Sequence, residues 1–162
     1  MSFAIVAQTG SIKAFFENSI FLSCVSSWFC AQLMKAVIIL LKRRKSSGRD
    51  VLETIAWRTG GMPSSHASLV SSMATSVAFR EGVNSNLFVV TLFFALIIMR
   101  DAMGVRRASG IQARTLNLLG RHLAENIKIE YHPMKEVHGH APLEVVIGAL
   151  LGIFIAAAYA YL

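Results

Sequence analysis

Apolar stretches close to the thickness of a bilayer dominate this sequence. A helix that crosses the hydrocarbon core needs about 20 mostly apolar residues, with a range of roughly 17 to 25. Stretches of this kind lie at about 19–41, 63–79, 86–100 and 143–162. The first is longer than the apolar part of a signal peptide, and its basic residues follow it. We therefore predict a transmembrane helix that is not cleaved off. The predicted fold class is all-α: an integral membrane helical bundle of about four transmembrane helices plus an amphipathic cytoplasmic helix.

The composition fits one membrane-embedded domain over residues 1–162. Hydrophobic residues make up 54% of the chain and charged residues only 15%, whereas a typical soluble domain has roughly 25% charged residues. A net charge of +7 would suggest nucleic acid as the partner of a soluble protein, but here it favours anionic lipid headgroups. Cys24 and Cys30 lie inside the first apolar stretch, so we expect free thiols there.

Two of the apolar stretches are short or rich in small polar residues. This predicts that the helices at 63–79 and 86–100 are buried among the other helices or in a partner subunit, which allows a homo-oligomer. In the last stretch, Gly148 and Gly152 are four residues apart. Glycines at this spacing allow two helices to pack closely.

Basic residues are concentrated in two of the three predicted loops. The excess of Lys and Arg places these loops in the cytoplasm and both termini outside. The middle loop carries little beyond Arg80 and Glu81. We therefore expect a protein of the bacterial inner membrane whose functional end faces the cytoplasm. The basic residues of the first loop are Lys42, Arg43, Arg44, Lys45, Arg49 and Arg58, and those of the third loop are Arg106, Arg107, Arg114, Arg121, Lys128 and Lys135.

The third loop begins with a segment that reads as a helix, at about 101–127. Its apolar residues form one stripe, and its arginines recur every seventh residue on another face. Such a helix can lie along the membrane surface with its arginines toward lipid phosphates. For Arg114 and Arg121, a basic face that is simply solvated fits the sequence equally well. The apolar stripe consists of Leu116, Leu119, Leu123 and Ile127.

Ionisable residues from all four predicted spans meet at one membrane level. Such residues near the membrane interior are costly and are candidates for function. His122 and His132 have no such neighbours, and we interpret them as surface residues. The residues at this level are Lys35 near the end of the first span, His66 at the start of the second, Asp101, Arg106 and Arg107 after the third, and His140 and Glu144 at the start of the fourth.

These residue types suit the binding and transfer of a phosphate group. Gly60 and Gly61 allow a close backbone approach, and Ser64 and Ser65 can cap a helix whose N-terminus favours an anion. His140 and Glu144 are four residues apart, so they share a helix face on which the carboxylate can fix the imidazole tautomer. Two histidines then remain for a nucleophile and a proton donor. The cationic donors for the phosphate oxygens are Lys35, Arg106 and Arg107.

Three segments resemble the divergent bacterial and plastid branch of the type 2 phosphatidic acid phosphatase superfamily, which is related to the vanadium haloperoxidases. They are "GGMPSSH", "DAMGVRRASGIQARTLN" and "GHAPLEVVIGALLG". The resemblance implies an all-helical core and a metal-free, cofactor-free phosphohistidine mechanism. It makes His140 the nucleophile, Glu144 its orienting carboxylate and His66 the general acid. Lys35, Ser64, Ser65, Arg106 and Arg107 would bind the phosphate, with Asp101 in support.

The sequence departs from the superfamily pattern in its arginines. Lys42 and Arg49 have the spacing of the first motif, but Asp50 follows where proline is expected, and Met134 replaces an arginine six residues before His140. "GVRR" is therefore the expected source of phosphate-binding arginines, and Arg58 and Arg114 are further candidates.

The function we predict is hydrolysis of a lipid phosphate monoester, with phosphatidylglycerophosphate as the specific substrate, because that lipid is made on the cytoplasmic leaflet. Two alternatives remain open. His138 and His140 with Glu144, His66 and Asp101 could form the metal site of an intramembrane metallohydrolase, although three nearby cations disfavour a metal. The chain could instead be a non-catalytic lipid-binding or assembly protein of the membrane.

Overall fold

The computed structural model describes residues 12–42, 61–136 and 139–161, and every regular element in these ranges is a helix. The predicted all-α membrane bundle is confirmed. Cys24 and Cys30 are free thiols, as expected. The helices are α1 (Ile12–Phe16), α2 (Ser19–Lys42), α3 (Ser65–Glu81), α4 (Asn86–Met103), α5 (Val105–Ile127) and α6 (Pro142–Tyr161).

Three stretches within these ranges are long and apolar enough to cross a membrane. They are Ser19–Leu41, the run Asn86–Ile127, and Pro142–Tyr161. The predicted span at 63–79 corresponds to α3, which has 17 residues and many serines. α3 is the central helix, since α2, α4 and α6 all pack against it. Its buried face is made mostly of Ser, Ala and Val, so its short polar sequence suits contact with helices rather than lipid.

Small residues let α3 approach α6 and α2 closely. A Cβ added to Gly148 would lie 2.3 Å from the Ser64 carbonyl oxygen, and one added to Gly152 would lie 2.1 Å from that of Ser68. These contacts confirm the close packing that the glycine pair predicts. On the other side, the hydroxyls of Ser27 and Ser68 are 2.6 Å apart, as are those of Ser23 and Ser76. These two pairs of buried serines thus satisfy each other across the interface between α2 and α3.

The boundary between the third predicted span and the cytoplasmic helix differs from the prediction. α4 continues through Asp101 to Met103, and α5 begins at Val105 rather than at residue 101. The break is at Gly104, whose φ of −99° and ψ of −87° lie away from helical values. Asp101 therefore belongs to the last turn of α4, while Arg106 and Arg107 lie in the first turn of α5.

α5 has one apolar face that no described residue covers. Leu116, Leu119, Leu123 and Ile127 are each about half exposed or more, on the side of the helix opposite Arg107, Arg114 and Arg121. α4 is the described helix that α5 contacts. That α5 lies along the membrane surface stays a prediction. His122 and His132 are exposed, as expected for surface residues.

Candidate active site

Buried His140 and partly exposed Glu144 form a hydrogen-bonded pair at the start of α6. His140 is only 4% exposed, and its Nδ1 lies 2.9 Å from Glu144 Oε2. The same oxygen accepts the Ala141 backbone N–H at 3.1 Å, and the His140 backbone N–H donates to the Ala102 carbonyl at 3.1 Å. Because an ionised carboxylate only accepts hydrogen bonds, the proton lies on Nδ1. The lone pair of a neutral imidazole is then on Nε2, the nitrogen free for chemistry.

Lys35 brings a buried cation to the same place from α2. The residue is 3% exposed, and its Nζ donates to Ser65 Oγ at 3.2 Å. Its charge also interacts with Glu144. An ammonium group has three N–H donors, so the bond to Ser65 leaves others for a bound anion.

His66 adds a second imidazole at the mouth of the site. It is the second residue of α3 and is exposed in the described part of the structure. Its ring interacts electrostatically with Arg106, His140, Lys35 and Asp101. Arg106 Nε donates to Asp101 Oδ2 at 2.6 Å, which fixes the guanidinium beside this imidazole. The end of α4 and the start of α5 thus meet the starts of α3 and α6.

Contacts of Ser64 and Arg107 bring the helix ends of the site together. Ser64 is the N-cap of α3, its Oγ accepting the Ala67 N–H at 3.4 Å. Its own N–H donates to the Glu144 carbonyl at 2.9 Å, which joins the starts of α3 and α6. A Cβ added to Gly139 would lie 2.2 Å from Arg107 Cα, so the start of α5 packs directly against the residue before His140. The Arg107 side chain is exposed and has no hydrogen-bond partner within the described ranges.

A pocket of about 360 Å³ opens beside Lys35 and Glu144. Its other lining residues are largely apolar: Ile38 and Ile39 of α2, Met62 before α3, and Leu143 of α6. The cavity therefore joins charged groups at one end to apolar walls. A pocket of this kind suits a ligand with an anionic head and an apolar body.

Comparisons with known proteins identify a family and a relative. The family described as "Divergent PAP2 family" matches residues 16–155 of this chain. The chain belongs to the divergent PAP2 family. It is also similar to the "Uncharacterized membrane protein YuiD" of Bacillus subtilis (strain 168), with 37% identity over 151 residues that cover 86% of this chain and 92% of that protein. No solved structure matches significantly.

All candidate site residues lie inside the segment that matches the divergent PAP2 family. Arg58, a further candidate for phosphate binding, and His138, a residue of the alternative metal site, lie outside the described residues. Arg114 is exposed and lies roughly 10 Å beyond Arg107 along α5, at 1.5 Å per residue. In the described ranges, no group of three or more His, Cys, Asp or Glu side chains could hold a metal ion.

Asn117 is the important residue that the sequence did not reveal. It lies in the middle of α5 and is 3% exposed. Its Nδ2 donates to the Met134 carbonyl at 2.9 Å and to Glu136 Oε1 at 3.0 Å. Its Oδ1 accepts the Tyr131 hydroxyl at 2.6 Å and the Met134 N–H at 2.8 Å. This one amide holds the return segment, residues 128–136, against α5 on its way to His140.

Replacing Asn117 by alanine is expected to release the return segment. Each buried polar group left without a partner costs roughly 1–3 kcal/mol, and Asn117 satisfies groups on Tyr131, Met134 and Glu136. We expect faster trypsin cleavage at Lys128 and Lys135, which are exposed, and a lower midpoint of thermal unfolding. Asn126→Ala is the matched control, because Asn126 is exposed and, among the described residues, its side chain bonds only to the His122 carbonyl within α5. Equal cleavage rates in the two variants would contradict this role.

Proposed function

We propose that the protein is a membrane phosphatase that hydrolyses a lipid phosphate monoester through a phosphohistidine intermediate. The observation that carries this proposal is buried His140, paired with Glu144 and with Lys35 and His66 around it. Membership of the divergent PAP2 family supports a phosphatase-related chemistry. A histidine that is buried, fixed by a carboxylate and flanked by cations suits nucleophilic attack on a phosphate better than a structural role.

In the first step, Nε2 of His140 attacks phosphorus and the bond from phosphorus to the ester oxygen breaks. Protonated His66 gives its proton to the leaving alkoxide, which departs as the alcohol. In the second step, neutral His66 takes a proton from water, and the resulting hydroxide attacks phosphorus and breaks the N–P bond. Inorganic phosphate leaves, and both histidines return to their starting states.

Cations and backbone donors stabilise the charge that develops on the phosphoryl oxygens. Lys35 supplies a buried ammonium, and Arg106 and Arg107 supply guanidinium groups at the start of α5. The N-terminus of α3, which begins at Ser65, adds backbone N–H groups and the positive end of a helix dipole. Asp101 keeps Arg106 oriented. Glu144 stabilises the imidazolium character that His140 acquires during attack.

A lipid phosphate suits this site because a cation, Lys35, and apolar walls meet in one pocket. Ile38, Ile39 and Leu143 lie beside Lys35 and Glu144, so the body of the substrate would contact apolar side chains while the phosphate meets the charges. We propose phosphatidylglycerophosphate as the specific substrate. Its terminal phosphate is a monoester, and its two chains match the membrane setting.

The test is phosphate release by purified protein from a panel of esters, each assayed with and without a chelator and with vanadate. The panel contains phosphatidylglycerophosphate, phosphatidic acid and glycerol phosphate. We expect hydrolysis of the lipid esters, fastest for the first, with inhibition by vanadate and none by chelator. Loss of activity to the chelator and its return with zinc would replace this mechanism by a metallohydrolase. A folded protein without activity on any ester would favour a non-catalytic role.

The proposed orientation places the active site in the cytoplasm and both termini outside the bacterial inner membrane. In a background with Cys24→Ser and Cys30→Ser, we expect Asn84→Cys to react with a membrane-impermeant maleimide in intact cells. Glu130→Cys should react only after permeabilisation. Asn84 and Glu130 are exposed, the first between α3 and α4 and the second after α5, in the loop that we propose to be cytoplasmic. The reverse labelling pattern would overturn this orientation and the argument for a cytoplasmic-leaflet substrate.

A further inference from the structure

A second polar pocket lies at the opposite end of the bundle from His140. α3 runs from the active-site end to Arg80, which is roughly 20 Å beyond His66 at 1.5 Å per residue. The pocket there has a volume of about 440 Å³ and lies where α2 begins and α3 and α6 end. Its lining includes Ser19, Ser76, Arg80, Tyr159 and Ala160.

Arg80 is an incompletely paired cation in this pocket. Its Nε donates to Ser19 Oγ at 2.8 Å, but a guanidinium carries five N–H donors. In the described ranges, no carboxylate lies within ion-pair distance of it, since the ion pairs found there join other residues. Most of the hydrogen-bonding capacity of Arg80 is therefore available to a bound anion.

The start of α2 adds a second positive feature to the same pocket. Asn18 Oδ1 accepts the Ile20 N–H at 2.8 Å, whereas the Ser19 N–H has no partner among the described residues. The positive end of the dipole of this 24-residue helix also lies here. A helix N-terminus and a guanidinium from another helix thus point to the same class of ligand.

Hydroxyl and aromatic groups of the kind found at the polar boundary of a membrane surround the pocket. Tyr159 OH lies 2.8 Å from Ser26 Oγ, and the Phe79 and Tyr161 rings meet edge to face with centroids 6.1 Å apart. Tyrosine is common at the level of lipid headgroups. The small side chain of Ala160 leaves room at the mouth of the pocket.

We propose that this pocket binds a phosphate oxyanion at the headgroup level of the leaflet opposite the active site. The Arg80 guanidinium would donate to two phosphate oxygens, as arginine does in paired contacts with phosphate, and the start of α2 would supply a further donor. A phospholipid headgroup and free phosphate both present this chemistry. The occupied site would tie together three helix ends, and it does not depend on catalysis.

The test measures ligand binding to purified protein in a phosphate-free detergent, with phosphatidylglycerol, phosphatidylcholine and inorganic phosphate as three separate probes. Arg80→Gln removes the charge, and Ala160→Phe fills the mouth without removing a charge. We expect Arg80→Gln to weaken binding roughly tenfold or more, the loss expected when a charge-assisted hydrogen bond is removed. Ala160→Phe should weaken binding to a similar degree because the ring occupies the space of the ligand. Binding of the lipids alone would assign the pocket to a headgroup, and binding of phosphate alone would assign it to a free anion.

Two controls separate this pocket from general attraction to a basic protein. Lys13→Gln removes a positive charge from α1, the helix directly before the start of α2. Lys13 pairs there with Glu17 at 3.6 Å. Ala158→Phe adds the same ring at an exposed position of α6 that does not line the pocket. Both controls should bind like the unmodified protein. Equal weakening by Lys13→Gln and Arg80→Gln, or unchanged binding in Ala160→Phe, would overturn the proposal.

Discussion

His140→Ala is expected to abolish phosphate release from every ester, whatever its leaving group. The proposed nucleophile is His140 Nε2, and no described neighbour is placed to replace it. We expect a loss of roughly 10⁴-fold or more, comparable to removal of the nucleophile from other covalent mechanisms. The measurement is the rate of phosphate release from a lipid ester and from an aryl phosphate. Full activity in this variant would end the phosphohistidine mechanism.

Two further variants show whether the loss is specific. His122→Ala removes an exposed imidazole from α5 and should leave the rate unchanged. Glu144→Gln keeps the shape of the side chain that holds His140 Nδ1 but loses the charge that stabilises the imidazolium. Its rate should fall between those of the unmodified protein and His140→Ala. Because Glu144 Oε2 also accepts the Ala141 N–H, thermal unfolding of each variant must show that the fold survives.

His66→Ala is expected to slow lipid ester hydrolysis far more than aryl phosphate hydrolysis. A lipid alkoxide is a poor leaving group that needs a proton, whereas a nitrophenolate leaves with little help. General acid catalysis contributes roughly a hundred- to ten-thousandfold, so the lipid ester should lose about this much. The aryl ester should lose much less, provided that it binds. The comparison uses kcat for both esters in the same preparation.

Equal losses on the two esters would contradict the acid role of His66 and favour a role in binding. The position of His66 makes this outcome distinguishable from a folding defect. The residue is exposed, and its ring makes no hydrogen bond to the part of the chain that the structure describes, so alanine should not disturb the packing of α3. His132→Ala is the matched control, because His132 is exposed and pairs only weakly with Glu130 at 3.7 Å.

The local geometry at the starts of α3 and α6 could be predicted because its sequence signals are local. His140 and Glu144 share a helix face through their spacing alone, and Ser64 sits where a helix begins after a glycine-rich turn. The Gly148 and Gly152 pair likewise predicts a close helix contact without any knowledge of the partner. These inferences need only the 3.6-residue period and the preferences of helix ends.

Other contacts join residues far apart in the chain, and the sequence carries no sign of them. Asn117 stands between two leucines in an amphipathic helix, and its partners follow 14 to 19 residues later. Nothing local distinguishes it from the exposed Asn126. The pairing of Lys35 with Ser65 likewise depends on how α2 packs against α3. The boundary at Gly104 was misplaced because a single glycine inside a helical pattern is often tolerated.

The most direct test of the phosphohistidine mechanism is to trap the intermediate. Purified protein would be mixed with phosphatidylglycerophosphate labelled in its terminal phosphate and denatured within milliseconds under alkaline conditions, where phosphohistidine survives. Mass spectrometry would then locate the label. The mechanism predicts label on His140 in the unmodified protein and none in His140→Ala. Phosphate release by an active preparation that never carries label on His140 would contradict it.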